Sequence, residues 1–73
     1  MPKLPLISGR KAVKALSRFG WREVMRRGSH NVLCKEGTNV TISVPDHKEL
    51  GRGTLRKVIR HAGLEVAELI REL

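Results

Sequence analysis

The chain has no tyrosine, one phenylalanine, one tryptophan and one cysteine among its 73 residues. With Phe19 and Trp21 as its only aromatics it offers no platform of rings on which unpaired bases stack, so any nucleic acid would be held through phosphates and shape. The lone Cys34 closes no internal disulfide, which fits a reducing compartment. No apolar run is long enough to span a bilayer. Met1–Ile7 is too short, and too interrupted by Pro2 and Pro5, for a secretory signal. A cytoplasmic protein with no membrane partner is expected. HExxH, CxxC, P-loop and paired-carboxylate patterns are missing, so neither a metal nor a small-molecule cofactor is expected. A domain this small buries only about 60% of its unfolded surface, so its site should be shallow and built from few residues.

Acidic side chains are scarce in one half only. Residues 1–35 hold nine Lys and Arg against one acid, Glu23, while residues 36–73 hold six of each, so the net charge of +8 belongs to the first half. Such a field draws in polyanions. Charge alone does not separate RNA from DNA, an anionic membrane or an acidic protein. The apolar content of 40% is that of a globular chain.

Met1–Ile7 should lead in as extended chain, because residues before proline avoid the helical region. Ser8 suits the N-cap of a helix in which Ala12, Val13, Leu16 and Phe19 recur at helical spacing, with Arg10, Lys11, Lys14 and Arg18 opposite and Gly20 as the stop. Three strands are expected next, about Trp21–Arg26 (where alternation is poor), His30–Lys35 and Val40–Val44. Gly28-Ser29 forms the first turn and Glu36, Gly37 and Thr38 the second. That second loop would pair Cys34 with Val40, Val32 with Ile42 and His30 with Val44, setting apolar partners opposite each other on one face. A two-residue loop would pair Cys34 with Asn39 and Val32 with Thr41, and is disfavoured. Pro45 should end the sheet. Leu55, Val58, Ile59 and Ala62 predict a second helix ended by Gly63. Leu64, Val66, Leu69, Ile70 and Leu73 predict a short third, with Glu65, Glu68 and Glu72 outward. The expected fold is α+β, ordered α-β-β-β-α with a short extra C-terminal helix: a three-stranded antiparallel sheet with helices on one face.

Three histidines are the candidates for chemistry, since Cys34, mid-strand between apolar neighbours, reads as core. His30 follows Arg26-Arg27-Gly28-Ser29 at the start of the second strand. Small residues beside it let a substrate approach, the arginines supply phosphate contacts, and an imidazole can move the proton of a ribose 2′-hydroxyl near neutral pH. On spacing alone, a histidine that merely hydrogen-bonds at a strand end is the commoner case, since poised groups also occur for structural reasons. By parity His30 shares a face with Val32 and Cys34, expected to be the buried one, so it must lie at the open end of the sheet. His47, just after the third strand, could share that end or be a surface loop residue. His61, late in the second helix where a cation suits the dipole, reads as a capping or surface residue. Gly51-Arg52-Gly53-Thr54 with Arg56 and Lys57 marks a helix N-terminus suited to phosphate, or an ordinary glycine-containing helix entry. The expected RNA-binding cations are Lys11, Lys14, Arg18, Arg26, Arg27, Arg52, Arg56 and Lys57.

In this order and spacing, Ser8-Gly9, Phe19-Gly20-Trp21, Arg27-Gly28-Ser29-His30, Val44-Pro45 with a following His47, Gly53-Thr54-Leu55-Arg56 and His61-Ala62-Gly63-Leu64 together resemble the HicA toxin family over residues 7–73. The resemblance implies a single domain over 1–73 with a double-stranded-RNA-binding-like fold. It implies a toxin endoribonuclease that cleaves messenger RNA without a metal, arrests growth and is neutralised by a HicB-type antitoxin. The family's active-site histidine maps onto His30, with Gly28, Ser29 and His47 as candidate support. The sequence departs from the pattern at Asp46, between Pro45 and His47, and at Glu65, where a capping hydroxyl is common. A non-catalytic module for structured RNA is the alternative, and a subunit that holds an acidic protein is a third reading.

Overall fold

The fold is that of a computed structural model, which describes residues 3–73. Ser8 caps α1 (Gly9–Ser17): its backbone is extended and its Oγ accepts from the Lys11 N–H at 3.1 Å, satisfying one of the free donors of the first turn. Ala12, Ala15 and Leu16 are sealed, Val13 and Phe19 partly so. Arg10, Lys11, Lys14 and Arg18 are exposed, as the helical spacing predicts. Strands β1 (Trp21–Arg27), β2 (His30–Lys35) and β3 (Thr41–Pro45) form an antiparallel sheet in the order β1-β2-β3. Helices α2 (Arg52–His61) and α3 (Val66–Ile70) follow. At Glu65, which lacks a capping hydroxyl, the Glu68 carboxylate accepts from the Glu65 N–H at 2.8 Å, so the departure from the family pattern still closes the helix end.

The poor alternation of β1 has a cause. It is an edge strand whose pairing with β2 slips between Glu23 and Met25, leaving Val24 opposite no residue. A bulge of this kind breaks the period of two, and only Trp21 of the strand is buried.

The expected register of β2 against β3 is wrong by one residue. Cys34 pairs with Thr41, Val32 with Ser43 and His30 with Pro45. The connecting loop keeps Val40, 48% exposed, out of the ladder, and Thr38 Oγ1 holds its N–H at 3.1 Å. A slip of one residue exchanges the two faces of a strand. Asn31, Leu33, Ile42 and Val44 therefore face the helices and are buried, while His30, Val32 and Cys34 lie on the other face. The reading of Cys34 as core is corrected accordingly: its thiol is free and only half-buried. β3 runs over Thr41–Pro45 instead of Val40–Val44, and Pro45, its last residue, ends the sheet as expected.

α1 packs on β1 and β3, and α2 on β3 and α3, so that among the described residues the opposite side of the sheet is left uncovered. The core unites Leu16, Leu33, Ile42, Val44, Leu55, Ile59 and Leu69 with Leu4, Ile7 and Leu50 from the irregular segments. The lead-in expected over 1–7 is described from Lys3 and takes no regular structure; Met1 and Pro2 lie outside the described residues. It is tied down by the Leu50 N–H donating to the Ile7 carbonyl at 2.7 Å and by Arg52 Nε donating to the Leu4 carbonyl at 3.0 Å.

Candidate active site

His30 emerges from a two-residue hairpin turn. Gly28 sits there at φ +60°, a conformation that a side chain disfavours and that such a turn requires. The turn delivers His30 to the end of the central strand, paired with Arg27 on one side and Pro45 on the other, with its side chain exposed. The turn is held from behind. The Asp46 N–H donates to the Ser29 carbonyl at 2.7 Å. Arg26 Nε donates to the Gly28 carbonyl at 3.2 Å, and Arg26 Nη2 meets Asp46 Oδ2 at 2.9 Å. Asp46, the other departure from the family pattern, is thus the anionic end of a clamp on the turn. α1 braces the same place: the Gly9 N–H donates to the His47 carbonyl at 2.9 Å, and a Cβ on Gly9 would collide with the Pro45 carbonyl.

Two shallow depressions meet at His30. One is the open sheet face, lined by Val24, Met25, Arg27, Val32, Cys34, Thr41 and Ser43. The other is a groove between that face and α2, lined by Thr41, Ser43, Pro45, Thr54, Lys57, Val58 and His61. His61, read from sequence as a capping or surface residue, thus shares a groove with His30. Thr54, Lys57, Val58 and His61 follow the i, i+3, i+4, i+7 spacing of one helical stripe, which is the signal that could have found it. His47 is exposed, but its side chain does not line this groove; its carbonyl serves α1.

The eight expected phosphate-binding cations do not form one cluster. Arg27 and Lys57 stand beside His30. Arg26 is engaged by Asp46 and Gly28, Arg52 by the Leu4 carbonyl, and Arg18 by Glu72 at 3.6 Å. Lys11 and Lys14 line a separate groove between α1 and the sheet, with Arg10, Glu23 and the buried Asn31. Arg56 lies with Arg60 between α2 and α3. Among the described residues no three His, Cys, Asp or Glu side chains are grouped to hold a metal, and no helix is long and apolar enough to cross a membrane.

These features define a small basic α+β protein with a histidine on the uncovered face of a sheet. Comparison with known proteins gives it a family. The family model for the HicA toxin of bacterial toxin-antitoxin systems matches residues 9–64, and the chain belongs to that family. Among solved structures it is similar to a chain of a toxin-antitoxin complex from Streptococcus pneumoniae, with a TM-score of 0.71 and 32% identity over 80% of this chain and 98% of that one. Among curated proteins no sequence matches.

Proposed function

We propose that this chain is the toxin of a toxin–antitoxin pair, an endoribonuclease that cuts messenger RNA in the cytoplasm without a metal, and that His30 is its catalytic residue. The observation that carries the reading is the exposed imidazole of His30 at the end of the central strand, between Arg27 and Pro45, in a groove that also holds Lys57. In this reading the cations hold the phosphodiester and the imidazole takes the proton of the adjacent 2′-hydroxyl. The 2′ oxygen then attacks phosphorus, leaving a 2′,3′-cyclic phosphate and a 5′-hydroxyl. The α-β-β-β-α order, akin to double-stranded-RNA-binding folds, and the scarcity of aromatics favour recognition through phosphates and shape.

The test is cleavage by the purified protein in EDTA. RNA should be cut to cyclic-phosphate ends and single-stranded DNA, which lacks the attacking hydroxyl, should be spared. His30→Ala should slow cleavage by about 10²–10⁴-fold, the usual contribution of a general acid or base, with little change in RNA affinity. Full activity of that variant, or loss of wild-type activity in EDTA, refutes the reading.

Family membership and the structural neighbour's place in a toxin-antitoxin complex support a HicB-type antitoxin as the protein partner. The simplest inhibitor covers the basic surface around His30 and competes with RNA. A complex of antitoxin with His30→Ala toxin should then fail to bind RNA that the variant alone binds. Retained affinity in the complex would rule out occlusion.

A further inference from the structure

Cleavage of RNA by its own 2′-hydroxyl moves two protons, one off the attacking oxygen and one onto the departing 5′ oxygen, and a single imidazole accounts for only one of them at a time. We propose that His61 supplies the second: it is the general acid that protonates the leaving 5′ oxygen while His30 acts as the base. The proposal rests on the ribonuclease reading above and deepens it.

The geometry carries it. His30 and His61 approach one groove from two elements remote in sequence, the end of β2 and the last turn of α2. Both side chains are exposed to solvent and free to meet a substrate. Lys57 lies one turn before His61 on the same side of α2 and lines the same groove, where its ammonium can hold a phosphate. The groove's sheet side carries the hydroxyls of Thr41 and Ser43, and among the described residues no carboxylate lines it to repel a phosphate. On its other side His61 faces Lys35 and Glu36. His47 is the rival histidine, but it does not line the groove.

The step balances. As O2′ bonds to phosphorus its proton passes to His30. The P–O5′ bond breaks, its electron pair stays on O5′, and O5′ takes a proton from the His61 imidazolium. The products are the cyclic phosphate, a 5′-hydroxyl, charged His30 and neutral His61, and solvent exchange restores both side chains.

The experiment compares an RNA substrate with the same strand carrying sulfur in place of the bridging 5′ oxygen at the cut site. A thiolate leaves without being protonated, so it bypasses a general acid and leaves the need for a base intact. His61→Gln keeps an exposed position filled by a good helix former. It should lose about 10²-fold or more on ordinary RNA and recover most of that loss on the sulfur substrate, whereas His30→Ala stays slow on both. The pH–rate profile of the wild type should fall on both sides, and His61→Gln should lose the fall at high pH, where an acid loses its proton. Wild-type cleavage rates in His61→Gln, or an equal loss on both substrates, would overturn the assignment and leave the ribonuclease reading standing. If the wild type cuts neither substrate, the ribonuclease reading fails and this one with it.

Discussion

On the helix-covered face of the sheet Leu33, Ile42 and Val44 are sealed, and Asn31 beside them is buried. On the uncovered face, built from the same strands, Val32 and Cys34 are half-buried, Met25 is 49% exposed and His30 is exposed. One face holds the fold together; the other is free to vary its chemistry, because little packing depends on it. This division suits a chain too short to enclose a cavity. A histidine on an uncovered sheet needs no pocket, only a turn held firmly from behind, and the Arg26–Asp46 clamp and the close seat of Gly9 against Pro45 provide that.

The contrast can be broken in order of expected effect. The largest change is the loss of cleavage in His30→Ala, which should leave the thermal midpoint where it was, since the side chain packs against little. A large drop in stability would mean that His30 belongs to the scaffold. Next come the neighbours Leu33 and Val32, which point to opposite faces. Leu33→Ala should cost about 2–5 kcal/mol in urea unfolding, as for other buried leucines, and Val32→Ala less than half as much. Equal costs would mean that the register is wrong.

Gly9→Ala should cost about 1–3 kcal/mol, the usual range for forcing an atom into a packed site. An unchanged unfolding midpoint would show that α1 does not press on the end of β3. The smallest effects separate two adjacent arginines. Arg27→Gln, on the uncovered face, should flatten the salt dependence of log K for RNA by about 0.7 for single strands or 0.9 for a duplex. Arg26→Gln, held by Asp46, should leave that slope alone and cost no more than about 1 kcal/mol of stability, as expected of a partly exposed ion pair. If both variants flatten the slope equally, Arg26 leaves its clamp to bind RNA.

Much of the helical structure was legible residue by residue. Ser8 as a cap, the Ala12–Leu16 stripe and the Leu55–Val58–Ile59 stripe depend on neighbours within a turn or two, and α1 and α2 form where those patterns predict. β2 spans the expected residues, because Gly28-Ser29 and the apolar run mark both of its ends. The pairing of β2 with β3 was not legible. Val40, Ile42 and Val44 alternate as well with one loop length as with another, and the loop that releases Val40 settles the matter. Its turn and the family resemblance mark His30 as a candidate, but the period of two alone puts it with Val32 and Cys34 on the face expected to be interior. The slip resolves that conflict by turning all three outward together.

Chain chemistry alone settled the concentration of positive charge in the first half, the order of the elements and the histidine beside a glycine turn, since each depends on composition or on residues close in sequence. Three things awaited the packed molecule: which face of the sheet is covered, which cations stand free near His30, and the sharing of one groove by His30 and His61. Register is a cooperative choice made by burying a whole face at once, so no single residue of a strand announces it. The groove exists only because α2 lies beside β3, a contact between segments that carry no local trace of each other.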